Sequence, residues 1–239
     1  MRLDRRLSEL ALGTRREVQA LIRQGLVQVD GQTVRDPGTH TDDTAEILVR
    51  GMPVDLRRNR SLMMNKPGGV LTAARDRKQK TVMDLLPEVY LSLGCMPVGR
   101  LDRDTTGLLL FTTDGELNHR LLSPARHVDK VYRAKVDLML TQEDVRRFEE
   151  GMDLGDFVTR PAELVIEDSL TGIVTIHEGR FHQVKRMFEK VGKTVLQLDR
   201  LAFGPLRLDE NLKAGEFREL TDEEIAALHL AAGMEADRA

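Results

Sequence analysis

Cysteine, aromatic side chains and long apolar runs are all scarce in this 239-residue chain, and each shortage excludes something. The single cysteine, Cys95, rules out an internal disulfide and any thiolate cluster for a metal, which fits a reducing compartment. It reads as a core or turn thiol rather than a nucleophile. No apolar stretch is long enough to cross a membrane as a helix, and no apolar segment of the secretory kind lies near the amino terminus. The expectation is a soluble, cytoplasmic protein without an export signal. Tryptophan is absent and only Tyr90 and Tyr132 supply phenols, so stacking on a flat ligand has few platforms. The net charge of −3 excludes a globally basic binder of polyanions; any such contact must come from local patches. His119 and His127 have no partners at metal-ligand spacing and read as surface histidines.

The length suits one large domain with a small appendage. Residues 1–56 read as the appendage. Leu3, Leu7 and Leu10 share one helix face, Thr14 caps a second helix carrying Val18, Leu21 and Ile22, and Gly25 ends it. Strands near Val27–Val29 and Thr33–Val34 are joined by Asp30-Gly31, a strong two-residue hairpin signal, and Glu46–Val49 supplies a further strand. From Arg2 to Gly25 six arginines face three acids, a local charge of +3 in a chain that is net negative. Residues 57–60, inside a polar stretch without apolar periodicity, are the linker, and residues 61–239 form the second domain.

The second domain is organised around Val98 to Phe111. Its end, Leu108 to Phe111, is an apolar run fit for one buried strand, and the polar loop before it carries Asp102 and Asp104. A strand that fixes a loop's exit is a common way to present reactive side chains. Gly99 and Gly107 bracket this loop and permit a sharp turn or a close approach. Two readings stand for the carboxylates: turn chemistry shared with Thr105 and Thr106, or a reactive group.

Three further stretches matter. Ser61 to Asn65 is a strand running into Asn65-Lys66-Pro67-Gly68-Gly69-Val70, a forced turn in which Lys66 reads as a solvated loop lysine. Arg75–Lys80 reads as an exposed loop, followed by a short helix from Thr81 to Leu86, and Asp114 or Thr113 caps another to Leu122. Lys130 to Val136 alternates at period two, with Tyr132, Ala134 and Val136 on the inward face. Thr141 caps a helix stopped by Gly151, Pro161–Ile166 and Gly172–His177 form a hairpin, Val195–Leu201 is a strand, and Thr221 caps a closing helix to about Leu230, after which the tail frays. Placed on a helix, Phe181, Val184, Phe188 and Val191 form a buried stripe, Lys185 falls at its edge, and His182, Arg186 and Lys190 point away. From His177 to Arg207 seven basic residues, among them Lys193 and Arg200, face three acids and form a second basic patch of +4.

The run Gly99-Arg100-Leu101-Asp102-x-Asp104-Thr105-Thr106-Gly107-Leu108-Leu109 resembles the active-site motif of the pseudouridine synthases, in the branch that modifies ribosomal RNA. Asn65-Lys66-Pro67-x-Gly69-Val70, Lys130-x-Tyr132 and Glu178-Gly179-Arg180-x-x-Gln183-Val184-Lys185-Arg186-Met187 resemble that branch's other motifs in the same order. The Phe181-His182 version of the last is most similar to the RsuA-type, small-subunit group. Residues 1–56 are similar to the RNA-binding module of ribosomal protein S-four.

The resemblance implies an α+β fold: a small α/β RNA-binding module, then a catalytic domain on a mixed, mostly antiparallel sheet with flanking helices. It implies isomerisation of a uridine in ribosomal RNA, with no cofactor or metal. Asp102 becomes the catalytic carboxylate, Tyr132 lies against a flipped-out base, and Lys185 pairs with Asp102, although most of the family has Arg there and Lys lacks its bidentate fork. Arg100, Leu101, Thr105, Thr106, Gly107, Asn65, Lys66, Arg180 and Gln183 support the pocket. Arg5, Arg6, Arg15, Arg16, Arg23, Arg186 and Lys190 become RNA contacts that position the substrate without choosing its sequence. The expected partner is small-subunit RNA, naked or in an assembling particle, and the expected state is a monomer. Two rivals remain at this point: a non-catalytic RNA-binding or ribosome-assembly factor, and a hydrolase using Asp102 with Asp104 as an acid–base pair.

Overall fold

A computed structural model describes residues 1–57 and 59–234, and in it the chain forms two compact units. The first comprises Met1–Arg60 together with Pro87–Cys95, the second Ser61–Leu86 and the chain from Met96 onward. The sequence reading had placed Pro87–Cys95 in the second domain. Arg58 of the expected linker and the end of the expected frayed tail lie outside the described residues; within them, Met234 packs against the core.

In the first unit α1 (Leu3–Glu9) and α2 (Arg15–Arg23) precede β1 (Val27–Val29), β2 (Gln32–Val34), β3 (Ile47–Val49) and β4 (Met52–Pro53), in sheet order β2-β1-β3-β4. Thr14 and Glu17 cap α2 reciprocally, and Asp30-Gly31 turns the β1–β2 hairpin with both residues at positive φ. Leu3, Leu7, Val18, Ile22, Val27 and Ile47 form the core. Arg6 corrects an expectation. It lies on the same inward face as Leu3 and Leu7, is 5% exposed, and binds Thr41 Oγ1, the Asp42 carbonyl and the Asp43 carboxylate. It staples a loop and is no surface contact for phosphate. Asp4, fully buried, accepts from Arg2, the Arg5 amide, Arg15 and Gln19, and these hydrogen bonds, Arg2's first, hold its carboxyl far below the usual range. A short helix, α3 (Glu88–Ser92), and the buried Cys95 complete the unit.

The second unit is built on β5 (Ser61–Lys66), β6 (Met96–Pro97), β7 (Thr106–Thr112), β8 (Lys130–Val136), β9 (Glu163–Asp168), β10 (Thr171–Ile176), β11 (Val195–Phe203), β12 (Leu206–Arg207) and β13 (Phe217–Glu219). Seven strands run in the order β13-β5-β7-β11-β8-β10-β9, with β6 on β7 and β12 on β11; only β7 with β11 is parallel. The apolar run that marked β7 is buried on both faces. Leu108 and Leu110 pack with Leu117 and Leu121 of α4 (Gly115–Leu122) and Leu228 of α7 (Asp222–Ala231). Asp114 and Thr221 cap those helices, and Thr141 caps α5 (Gln142–Glu150). Val82–Leu85 is a single 3-10 turn rather than an α-helix. Among the described residues no helix is long and apolar enough to cross a membrane.

Two irregularities sit where β7, β11 and β8 meet. Gly107, at φ +95°, lies so close to β11 that a Cβ would stand 2.3 Å from the Arg200 carbonyl oxygen. In the β11–β8 ladder Arg200 pairs with Tyr132 and Ala202 with Val131, so Leu201 is an extra, bulged residue. The bulge flips the side-chain parity of β11, and Phe203 thereby joins Leu198 and Arg200 on one face. Gly107→Ala is expected to destabilise the protein by about 2–4 kcal/mol through overpacking and left-handed strain. Gly192→Ala, at φ +76° with nothing within 4 Å of the new carbon, should cost only about 1–2 kcal/mol. Denaturant melts of the two variants check this ordering.

Candidate active site

The Asp102 loop is held from below by the turn after β5. Lys66 was expected in solvent. Instead it is fully buried, and its ammonium donates to the carbonyls of Pro67 (3.0 Å), Arg103 (3.3 Å) and Thr105 (2.9 Å). Sequence spacing shows that Lys66 ends a strand but not that a second loop folds over it. Burial lowers the Lys66 pKa to about 8 against the opposing pull of Asp104 and Asp102. Thr72 Oγ1 donates to the Leu101 carbonyl and accepts from the Leu101 amide, and the Gly69 amide donates to the Arg103 carbonyl. Asn65 donates to the Leu212 carbonyl in the loop between β12 and β13, and Thr106 Oγ1 binds Asp199 of β11, which tie down the start and end of the clamp.

This clamp leaves Asp102 partly open, with 26% of its side chain exposed, on the wall of a cleft. Lys185 on α6 (Gln183–Lys190) reaches it: Nζ lies 3.3 Å from Asp102 Oδ2 and 2.6 Å from Asp104 Oδ1. The shorter contact goes to Asp104, which is 76% exposed and whose carboxyl the Lys185 hydrogen bond holds below the usual range. Burial pulls the Lys185 pKa down, but the Asp104 hydrogen bond and both carboxylate charges outweigh it and the net shift is upward.

The start of α6 corrects the sequence reading. The helix begins at Gln183, so Phe181 is not in a buried stripe; it is 72% exposed and stacks on the His182 ring at 3.8 Å. His182 sits in the left-handed region at φ 51° and turns toward the cleft, with Nε2 3.4 Å from Asp102 Oδ1. Gln183 closes this turn, accepting from the Arg180 amide and donating to Glu178. A helical wheel run through position 181 hides this, because one left-handed residue resets the phase of everything before it.

Tyr132 points inward from β8, is 7% exposed, lines the cleft, and its hydroxyl has no hydrogen-bond partner among the described residues. Arg100, Leu101, Thr105, Arg180 and Gln183 line the same cleft. Two residues that sequence reasoning did not place there also line it: Lys130, two positions from Tyr132 on the same strand face, and Arg200. Period-two alternation was the signal for Lys130. The expected second basic patch is therefore smaller at the surface than its count of seven: Arg180, Lys190 and Arg207 are exposed, whereas Lys193 and Arg200 are buried. Arg200 is 1% exposed inside the cleft, and Lys193 is 8% exposed and paired with Asp144 at 2.7 Å. Arg186 is paired with Asp156 and stacks over Phe157, while Lys190 is exposed. In the first unit Arg5 pairs with Glu9 and Arg15 with Asp4; Arg16 and Arg23 are exposed without an ionic partner among the described residues. Among the described residues no group of three or more His, Cys, Asp or Glu is placed to hold a metal.

A carboxylate loop clamped to a mixed sheet, faced by a helix-borne lysine and a strand tyrosine, defines the cleft of the second unit, and a small α/β module precedes that unit in the chain. Residues 60–190 match the family model of RNA pseudouridylate synthase and residues 1–47 that of the S4 domain. The chain belongs to the RNA pseudouridylate synthase family. It is 45% identical to the uncharacterized RNA pseudouridine synthase YtzG of Bacillus subtilis (strain 168), over 96% of this chain and 98% of that one. It is 40% identical to the ribosomal small subunit pseudouridine synthase A of Pseudomonas aeruginosa, over 95% of this chain and all of that one. Among solved structures it is similar to a crystal structure of a pseudouridylate synthase, with 35% identity, a TM-score of 0.68, and coverage of 95% and 99% of the two chains.

The clamp makes a prediction of its own. Lys66→Met should leave buried carbonyls unpaired, at about 1–3 kcal/mol each before relaxation, lower the melting temperature, and depress turnover on the family's substrate by more than tenfold while changing RNA affinity little. An unchanged kcat would separate the clamp from the chemistry.

Proposed function

We propose that this protein converts a uridine of small-subunit ribosomal RNA to pseudouridine, with Asp102 as the catalytic carboxylate. The observation that carries the reading is the placement of Asp102: solvent-reachable, in a cleft, between the Lys185 ammonium and the His182 ring, with Tyr132 in the same wall. A uridine stacked inside folded RNA cannot reach such a group, so the nucleotide is everted into the cleft, and the Tyr132 ring is the flat surface available to its base. The N1–C1′ bond breaks, the uracil turns, and C5 joins C1′. Asp102 acts as nucleophile at C1′ or as the base that removes the C2′ proton; both roles use the carboxylate, which the Lys185 ammonium faces at 3.3 Å. The small-subunit assignment is supported by the relatives of that name and by the Phe181-His182-Gln183-Val184-Lys185 version of the third motif.

The hydrolase reading loses ground at Asp104. A glycosidase acid must hold its proton near neutrality, which needs a raised pKa, whereas Lys185 lowers that of Asp104. The first unit supplies affinity: of the arginines on its two helices, Arg16 and Arg23 are exposed without an ionic partner among the described residues, while Arg15 pairs with Asp4. We take the working state to be a monomer in the cytoplasm.

Incubation of under-modified small-subunit and large-subunit RNA with the protein, followed by chemical mapping of pseudouridine, tests the assignment. Conversion in the small-subunit RNA is expected, and Asp102→Asn should lower it by at least about 10³-fold with RNA binding retained. Release of free uracil would point to a hydrolase, and bound but unchanged RNA to an assembly factor. Separately, Arg16→Ala with Arg23→Ala should make the slope of log K against log salt shallower by about 2; an unaltered slope would remove the first unit from the RNA interface.

A further inference from the structure

Lys130 and Arg200 are two buried cations in the cleft with unused hydrogen-bonding capacity. Lys130 is 9% exposed, and its ammonium makes one hydrogen bond, to the Val128 carbonyl at 2.8 Å. Arg200 is 1% exposed; Nε donates to the Leu108 carbonyl at 2.7 Å, and Nη2 has no partner. Neither has a carboxylate within ion-pair distance among the described residues. Both pack against the Phe203 ring, 5.2 and 5.3 Å from its centroid, which the Leu201 bulge brings to this face. Thr105 Oγ1, buried in the same wall, also lacks a partner. Unpaired buried cations are costly, and three polar groups with spare capacity around one cleft point to a ligand that is flat, rich in acceptors and anionic at some stage.

Resting on the synthase reading, we propose that Lys130 and Arg200 form the anion site for the departing uracil. When the N1–C1′ bond breaks heterolytically its electron pair goes to the base, leaving a uracil monoanion with charge on N1, O2 and O4. Asp102 meanwhile has bonded to C1′ or taken the C2′ proton. C5 then joins C1′ as the Asp102–C1′ bond breaks or, on the other route, as C2′ takes its proton back from Asp102, so that Asp102 is a carboxylate again; C5 finally loses its proton and N1 gains one, which leaves a neutral base. Lys185, held by two carboxylates, is not free to stabilise this anion; Lys130 and Arg200 are. Cations already fixed at the place where charge develops need no reorganisation during the step, and by holding the anion they keep it in the cleft while it turns. Thr105 Oγ1 supplies a neutral hydrogen bond to either face of the rotation.

The groups around Lys130 are Asp129 just before it, which pairs with His177, Tyr132 on the same face of its own strand, Glu178 and Arg180 from the turn before α6, Arg200 from β11, and Asp102 and His182 of the same cleft. Burial first, then the Arg200 charge, lowers the Lys130 pKa to about 8, with Asp129 and Glu178 opposing. Lys130 thus carries its charge below that pH and loses it above.

The test uses the full chain with an under-modified ribosomal RNA that the wild type converts. Lys130→Met should cut the single-turnover rate on saturating RNA by about 10²-fold with RNA affinity within about twofold, and Lys130→Arg should recover part of the rate. The wild-type kcat/KM should fall above about pH 8 with two ionisations, those of Lys66 and Lys130, and in Lys130→Arg the limb should become less steep as the second is lost. A Lys130→Met rate within threefold of wild type overturns the inference. If Lys130→Met does not fold, Lys130→Gln decides in the same single-turnover assay: a rate within threefold of wild type overturns it. Failure of the wild type itself to make pseudouridine in any ribosomal RNA would sink the synthase reading, and this inference with it.

Discussion

The Lys66 ammonium is the constraint on which the site rests. An ammonium with no solvent exposure is affordable only when all three of its protons are bound, and here three carbonyls, two of them from the Asp102 loop, accept them. The carbonyls in turn are buried groups that would otherwise lack donors, so loop and lysine satisfy each other. Because Lys66 ends β5, which pairs with β7, the loop is fixed at both ends by adjacent strands of one sheet. Asp102 therefore takes its position from the sheet itself, although it belongs to a loop.

Around that fixed point the backbone departs from regularity three times: the positive φ of Gly107 against β11, the bulge at Leu201, and the left-handed His182 before α6. Each re-aims a side chain or admits a close approach, and together they bring β7, β8, β11 and α6 onto one cleft. Without the bulge Phe203 would face away from Arg200. Without the left-handed residue His182 would follow the helix and turn from Asp102. Strain of this kind persists where surrounding contacts over-determine it: Gln183 locks the turn through Arg180 and Glu178, and Arg200 locks Gly107 through the Leu108 carbonyl.

What was legible in the sequence is what local chemistry decides. Thr14, Asp114, Thr141 and Thr221 start helices as read, Asp30-Gly31 makes its hairpin, and the period-two pattern puts Tyr132 inside. The family motifs brought Asp102, Tyr132 and Lys185 to notice together. What escaped was the fate of charged residues. Arg6, Lys66, Lys193 and Arg200 all read as solvated, and all are buried, because a distant segment supplies acceptors that no local pattern encodes. Loop 41–43 covers Arg6, the Asp102 loop covers Lys66, Asp144 covers Lys193, and β7 covers Arg200. A count of basic residues along the chain therefore overstated the second patch.

The buried cations of the second unit also sort themselves by how completely they are satisfied, and the sorting separates structure from chemistry. Lys193 has a carboxylate at 2.7 Å and lies away from the cleft; its worth is in joining Asp144 of α5 to the chain after α6. Lys66 has three carbonyls and no spare proton. Lys185 is shared between Asp102 and Asp104, so its charge is already answered by protein. Lys130 and Arg200 alone among these keep protons unbound in the wall of the cleft, with no carboxylate within ion-pair distance among the described residues. Folding stability gives no reason to keep two such groups side by side, since a leucine and a methionine would fill the space against Phe203 at less cost. A reaction that creates a negative charge on a base at that spot does give one, because the charge then completes a site whose cations the sheet has already fixed in place.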